Sequence, residues 1–358
     1  MPLRRAAAAG PDRGGGRMTE EAPLYSVHNV TKDFARGRRR SVRPALSEVS
    51  LVIRRGEGFG IVGESGSGKT TLGRLLVGFD TPTEGEIVFE GRAVVGMKRA
   101  QRRSFRQGVQ MVFQNPFASL NPFRSIRDTL SDGYAHRRMS SGERDTAMKD
   151  LLGLVGLHES MLDRYPHEFS GGQRQRIVLA RALSVNPSVL VADEPVSALD
   201  VSIQAQVLNL LNTLKKTLGL TVIMVTHDLR VVNFFCDRIA VMYMGRLVEV
   251  GDRDTIMNES SHPYTRMLIS AAPNGDPEER SERPWVSSEL AASEPPAEGC
   301  IFAPRCWLRQ QLGNPEECVT TQPRARPLLD GPAPDEAHLA ACHFAEDVPE
   351  QARLAQVS

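Results

Sequence analysis

Gly63, Gly68, Lys69 and Thr70 stand in the spacing G-x-x-x-x-G-K-T, after the apolar run Phe59–Val62 and before a helix-compatible stretch. That pattern makes chemistry out of backbone. Glycines let successive N–H groups turn inward around an anion, and the N-terminus of the following helix adds unpaired donors and a favourable dipole. Gly63, Glu64, Ser65, Gly66, Ser67, Gly68, Lys69, Thr70 and Thr71 therefore form a candidate phosphate cradle. Lys69 would reach the β- and γ-phosphates of a nucleotide, and the Thr70 hydroxyl would meet Mg²⁺. A second string narrows the chemistry: Ser188–Ala192 is an apolar strand that ends in Asp193 and Glu194. The two carboxylates divide the work, with Asp193 holding the metal shell and Glu194 polarising an attacking water. Two acids at a strand end also suit plain solvation or a helix cap, a reading the upstream phosphate loop outweighs.

The surrounding sequence reads as the scaffold such a site needs. From Leu24 to about Tyr264, short β-branched runs alternate with helical stretches, the mark of a parallel or mixed α/β sheet. The pattern predicts strands at Gly58–Val62, Gly108–Phe113, Val189–Ala192 and Thr221–Thr226. It also predicts a hairpin of Arg238–Tyr243 and Arg246–Val250 turned by Met244 and Gly245. Helical periodicity covers Lys69–Phe79, Gly171–Val185 and Ile203–Leu218. Residues 115–169 read as a polar, mostly helical insertion hung on the sheet. After Pro273 a stretch rich in Pro, Glu and Ser reads as a linker to a small cysteine-bearing tail.

A chain of 358 residues suits one large or two modest domains, with two favoured. The 44 Lys+Arg against 43 Asp+Glu leave a charge of +1, so no global field draws the chain to nucleic acid. Apolar runs such as Leu220–Val225 are strand-sized, far short of the roughly 18–20 residues that cross a bilayer. Residues 1–17 carry arginines but no apolar core of a secretory signal, which points to a disordered tail and a cytosolic setting. Met18 is an alternative start.

One further string settles which phosphate-loop proteins the chain is similar to. Ser170-Gly171-Gly172-Gln173 opens an apolar helix ahead of Asp193 and resembles the LSGGQ-type signature of ATP-binding cassette (ABC) ATPases, with Phe169 in place of the usual leucine. Other parts follow in the family's order. Gln114, after the strand ending in Phe113, looks like the Q-loop glutamine; Ser197-Ala198-Leu199-Asp200 looks like the D-loop; His227 looks like the switch histidine. The resemblance implies an α/β P-loop NTPase fold: a RecA-like core, an antiparallel β subdomain and a helical insertion, followed by the cysteine-bearing extension. On that reading residues 1–22 are a disordered tail, 23–265 the nucleotide-binding domain with a helical subdomain at about 115–170, and 266–358 the extension. It implies ATP and Mg²⁺ as ligands, with Thr70, Gln114 and Asp193 on the metal and Lys69, Gln114, Glu194 and His227 in hydrolysis. It also implies that Ser170–Gln173 and Asp200 face a nucleotide held by a neighbouring subunit, in a head-to-tail dimer of cassettes. Phe34 is the candidate platform for the adenine ring, its alternative being an edge-strand core residue; Tyr25 is a weaker stand-in.

Several strings narrow the resemblance to importers of the oligopeptide, dipeptide and nickel type. They include Tyr165–Ser170, Glu194–Ser202 and His262-Pro263-Tyr264-Thr265-Arg266. These imply two transmembrane permease partners, an extracellular or periplasmic solute-binding protein, a peripheral place on the cytoplasmic face of the cell membrane, and no nucleic acid. Peptide is the favoured cargo, with nickel and glutathione as alternatives. A soluble cassette ATPase is the rival class, and it lacks support because neither a second cassette nor a long coiled-coil insertion is present. A purely regulatory metal-binding protein would need a degraded ATP site.

Cys300, Cys306, Cys318 and Cys342 follow the spacing C-x5-C-x11-C-x23-C, which matches no zinc ribbon, so thiols and metal ligands both remain open on spacing. The resemblance adds that some oligopeptide-type tails hold a [4Fe-4S] cluster on four such cysteines, and the count fits. Trp307 departs from the proline common there. The fifth cysteine, Cys236, reads as a buried small hydrophobe.

Overall fold

The computed structural model describes residues 22–35, 43–114, 119–135, 137–197, 199–271, 296, 298–328 and 338–348. The expected N-terminal tail and most of the expected linker lie outside these residues. The strands are β1 (Tyr25–Lys32), β2 (Leu46–Ile53), β3 (Gly58–Val62), β4 (Glu84–Phe89), β5 (Arg92–Ala93), β6 (Val109–Val112), β7 (Val189–Asp193), β8 (Thr221–Thr226), β9 (Arg238–Tyr243), β10 (Arg246–Asp252), β11 (Arg326–Pro327) and β12 (Leu339–Ala340). The helices are α1 (Lys69–Leu76), α2 (Arg99–Gly108), α3 (Ile126–Ser131), α4 (Ser141–Leu154), α5 (Gly171–Leu183), α6 (Val201–Leu218), α7 (Leu229–Phe235), α8 (Arg253–Glu259), α9 (Pro263–Ala271), α10 (Trp307–Gln311) and α11 (Glu317–Thr320). The chain forms two compact units. Of the described residues, the first comprises Ala22–Tyr25, Arg54–Gly56 and those of Phe89–Val222, and the second those of Ser26–Ile53, Glu57–Val88 and from Ile223 on.

In the second unit the strand order β11-β12-β10-β9-β3-β8 builds the sheet that carries the phosphate loop, and β2-β1-β4 form a separate smaller sheet. Strands β3 and β9 run parallel, Phe59 opposite Arg238 and Val62 opposite Val241. Every residue of β3, β8 and β9 is buried, which is why these segments, apart from Arg238 and the two end threonines of β8, read as apolar runs without alternation. The β9–β10 hairpin turns at Met244 and Gly245, both with positive φ (44° and 81°), as a two-residue turn that matches strand twist requires. Its tip is docked: Gly245 N–H donates to the Ser67 carbonyl at 2.9 Å, and Ser47 N–H donates to the Gly245 carbonyl at 2.9 Å. The hairpin thus braces the phosphate loop from behind. Helix α1 stops at Leu76, three residues before the expected Phe79. Gly78 takes a left-handed φ of 68°, and the amides of Gly78 and Phe79 close on the carbonyls of Leu75 and Arg74.

In the first unit β6 and β7 pair in parallel, Val109 opposite Val189 and Val112 opposite Ala192. The expected strand at Gly108–Phe113 is shorter because α2 runs through Gly108. The insertion is helical as read, with α3 and α4 each opened by a serine cap: Ser125 accepts from the Asp128 amide and Ser140 from the Glu143 amide. In α4 the Glu143 carboxylate returns to the Ser140 amide at 2.7 Å, a capping box. Arg127 on α3 reaches Asp145 on α4 and Asp163 beyond it, tying the subdomain's first helix to its second.

Candidate functional site

The phosphate loop is shaped by close backbone approach. A Cβ on Gly63 (φ 153°) would sit 2.1 Å from the Met242 carbonyl, and one on Gly68 (φ 98°) would sit 2.6 Å from the Ala45 carbonyl, so neither position admits a side chain. Gly68 is also the N-cap of α1 and supplies no side-chain cap. Lys69 is buried, 6% exposed, and its ammonium donates to the carbonyls of Gly63 (2.8 Å) and Glu64 (2.7 Å) and to Ser67 Oγ (3.4 Å). Three donors on one nitrogen thus close the loop into a ring around the lysine. Thr70 is exposed and Thr71 half-buried. His227, the residue after β8, is exposed. Phe34 is 57% exposed, with the Lys32 ammonium 4.9 Å from its ring centre, so it is not an edge-strand core residue. Tyr25 is fully buried and packs on Phe89 at 4.8 Å, which closes it to a ligand.

In the first unit Asp193 ends β7 with 5% exposure, and Glu194 follows it half-buried. Glu194 has φ 47°, a left-handed backbone that costs a non-glycine residue on the order of 1–3 kcal/mol. Strain held at this residue aims its carboxylate, and Glu194 Oε2 accepts from the Gln114 amide nitrogen at 3.4 Å. The structure therefore brings together two of the expected catalytic residues that lie 80 positions apart. Ser170 caps α5 with its hydroxyl on the Gln173 amide (3.3 Å), and the Gln173 side chain returns to the Ser170 amide (3.0 Å). The signature is thus a capping box as well as a row of backbone donors. A Cβ on Gly172 would lie 2.6 Å from Ile203, so glycine there lets α5 and α6 meet closely. Asp200 is the N-cap of α6 but makes no side-chain cap, and its exposed carboxylate is left for other contacts.

Two residues far along the chain, Tyr264 and Arg305, also touch the phosphate loop. The Glu64 amide donates to the Tyr264 hydroxyl at 2.9 Å, and the Glu64 carboxylate accepts both guanidinium nitrogens of Arg305 at 3.0 Å each. Tyr264 lies in the His262–Arg266 string and Arg305 beside Cys306, and nothing local in either string points back to residue 64.

The cysteine tail folds against α9. Trp307, in place of proline, is 6% exposed and donates its indole N–H to the Pro263 carbonyl at 3.1 Å, so the departure is a pin rather than a gap. Cys300, Cys306, Cys318 and Cys342 line one small cavity of about 20 Å³ with His262, Phe302, Leu308 and Arg309 among its other walls. Burial pushes the Cys300 thiol up to about 11 and Cys306 to about 12, and nearby sulfur charge adds to both; Cys318 and Cys342 are raised too, again chiefly by burial. Among the described residues no group of three or more His, Cys, Asp or Glu is arranged to hold a metal ion. The geometry of the tail thus gives the metal and cluster expectation no support. His262 is fully enclosed, which pushes it down to about 3 and leaves it neutral, with Nδ1 accepting from the Tyr264 amide at 3.1 Å. Cys236, fully buried, packs its sulfur where a Cβ on Gly60 would meet it at 3.1 Å, as expected of a small hydrophobe.

Comparison with known proteins agrees with this arrangement. Residues 46–197 match the family model for the ABC transporter, and residues 248–312 match that for the oligopeptide/dipeptide transporter C-terminal region. A protein of Brucella ovis named for peptide import and ATP binding is 43% identical over 323 residues, 90% of this chain and 98% of that protein. The dipeptide transport ATP-binding protein DppF of Haemophilus influenzae is 42% identical over 317 residues, 87% of this chain and 95% of that one. Among solved structures, CbiO1 of Clostridium perfringens, part of an ABC transporter complex, superposes with a TM-score of 0.60 at 29% identity, covering 67% of this chain and 92% of that one. A dimeric ATP-binding cassette bound to ADP and phosphate gives 0.57 at 31% identity, covering 64% and 99%. The chain belongs to the ABC transporter ATPases, P-loop NTPases that hydrolyse ATP. Within them it belongs with the ATP-binding subunits that carry the oligopeptide/dipeptide-type C-terminal region.

Proposed function

We propose that this chain is an ATP-hydrolysing subunit of a peptide importer, lying peripherally on the cytoplasmic face of the cell membrane. It works with a second cassette, two permease subunits and an external solute-binding protein. The observation that carries the reading is the cassette joined to a C-terminal region of the oligopeptide/dipeptide type, together with relatives named for dipeptide and oligopeptide transport at 42% identity. Among the described residues no helix is long and apolar enough to cross a membrane, so on this reading the permeases supply the path. We take 23–265 as the nucleotide-binding domain and 266–358 as the extension.

The chemistry is phosphoryl transfer to water: a water oxygen bonds to the γ-phosphorus, the bond to the bridging oxygen breaks, and a proton leaves the water. Glu194 takes that proton, Gln114 and His227 orient the water and phosphate, and Lys69 with the loop amides stabilises charge on the γ-phosphate. On the family resemblance the Thr70 hydroxyl, the Gln114 amide oxygen and the Asp193 carboxylate, all hard oxygen donors, would hold Mg²⁺, which would supply further charge stabilisation. Ser170–Gln173 and Asp200 serve the neighbouring subunit's nucleotide, and Phe34 stacks on adenine. In vesicles holding the complete complex, ATP hydrolysis is expected to rise when the solute-binding protein is loaded with peptide. A rise with Ni²⁺ or glutathione but not with peptide would reassign the cargo.

The four tail cysteines are the candidate ligands of a [4Fe-4S] cluster. What favours that assignment is the donor type and number in the sequence, four cysteine thiols. Because burial holds these thiols protonated, loading must drive protons off, and assembly is expected to weaken as pH falls. Protein purified without oxygen should be brown with broad visible absorbance; a colourless, iron-free product would remove the cluster from the account.

A further inference from the structure

We propose that Arg305, from the cysteine-bearing tail, is a positioning residue of the phosphate loop that offsets the charge of Glu64 and so sets the chain's affinity for ATP. The inference rests on the reading of Gly63–Thr71 as the nucleotide cradle. Glu64 is the second residue of that cradle, and a carboxylate there repels the polyanion the loop is built to take. The Arg305 guanidinium meets it as a two-pronged fork, Nη1 to Oε2 and Nη2 to Oε1, both at 3.0 Å. The rest of Glu64 is held as firmly. Its amide donates to the Tyr264 hydroxyl (2.9 Å) and its carbonyl accepts from Lys69 (2.7 Å).

Arg305 is itself placed by aromatic packing. Tyr243, Tyr264 and Phe302 contact one another with ring centres 4.6–5.4 Å apart. The guanidinium lies 5.8 Å from the Tyr243 ring centre and 6.0 Å from that of Phe302, and Nη1 also donates to the Tyr243 hydroxyl at 3.4 Å. The residue rides on the single turn Ala303–Arg305, which is closed by Ala303 N–H on the Cys300 carbonyl (3.0 Å) and Cys306 N–H on the Ala303 carbonyl (3.3 Å). The thiol-lined cavity and the phosphate loop therefore share one short segment. A plain stabilising brace is the competing reading. With side chains 23% and 40% exposed, the pair adds little to stability, whereas its charge lies on the loop itself.

The two readings separate in the full-length chain. Removing the positive partner by Arg305→Ala should raise the KM for ATP about tenfold with kcat nearly kept, and Arg305→Lys should recover part of the loss. Glu64→Gln should shift KM the opposite way, and the double variant should return toward the wild-type value. An unchanged KM in Arg305→Ala would overturn the proposal, as would a double variant as weak as Arg305→Ala alone. Wild-type protein that neither binds nor hydrolyses ATP would instead fault the cradle, a different failure.

Discussion

Glu194→Gln is expected to lower ATP turnover by about 10³-fold while leaving ATP affinity within about threefold of wild type. Glutamine keeps the size and the polar contact that Glu194 Oε2 makes with Gln114 at 3.4 Å, so the local fold survives. What it lacks is a site for the water's proton. The left-handed backbone at Glu194 sharpens the expectation, because strain retained next to a phosphate-chemistry strand marks a residue whose aim matters. Phosphate release and equilibrium ATP binding, measured side by side, check it. Wild-type turnover in the variant would show that another group takes the proton.

Lys69→Ala should act on the other half of the machine, reducing ATP affinity by about 10²-fold or more through loss of the one buried ammonium in the cradle. The variant loses more than charge. The carbonyls of Gly63 and Glu64 give up a donor at 2.8 and 2.7 Å; that of Glu64 keeps the Ser67 amide at 3.2 Å, while a buried acceptor left unpaired, as at Gly63, costs about 1–3 kcal/mol. The loop should therefore loosen even before nucleotide is added. Thermal unfolding with and without ATP and Mg²⁺ resolves the two effects: a modest fall in the baseline midpoint, and loss of the ligand-induced rise. A full ligand-induced rise in Lys69→Ala would contradict the assignment.

The elements that sequence patterns located best are those whose burial is uniform. Strands β3, β8 and β9 fall where the sequence pattern places them, since a strand covered on both faces is dominated by apolar residues; the buried Arg238 that opens β9 is paired with Glu57 at 3.4 Å. Helix ends were less legible: α1 is stopped by the left-handed Gly78, and α5 ends at Leu183 rather than Val185. The site residues that lie in one local string, such as Gly63–Thr71 or Ser170–Gln173, were readable because their chemistry depends on spacing along the chain. Contacts that depend on the fold were not. The pairing of Gln114 with Glu194 spans 80 positions, and that of Glu64 with Arg305 spans 241, so no local pattern encodes either. Nor does the run Leu247–Val250 announce that Glu249 is buried within it, paired to His338 at 2.7 Å and to the Ser261 amide.

Nucleotide is expected to close two cassettes on each other, and distance is the property to measure. In the membrane complex carrying Glu194→Gln, spin labels placed beside this chain's phosphate loop and beside the neighbouring subunit's signature helix should report a short separation with ATP and Mg²⁺ and a long one with ADP. A separation that stays the same whichever nucleotide is bound would contradict the account.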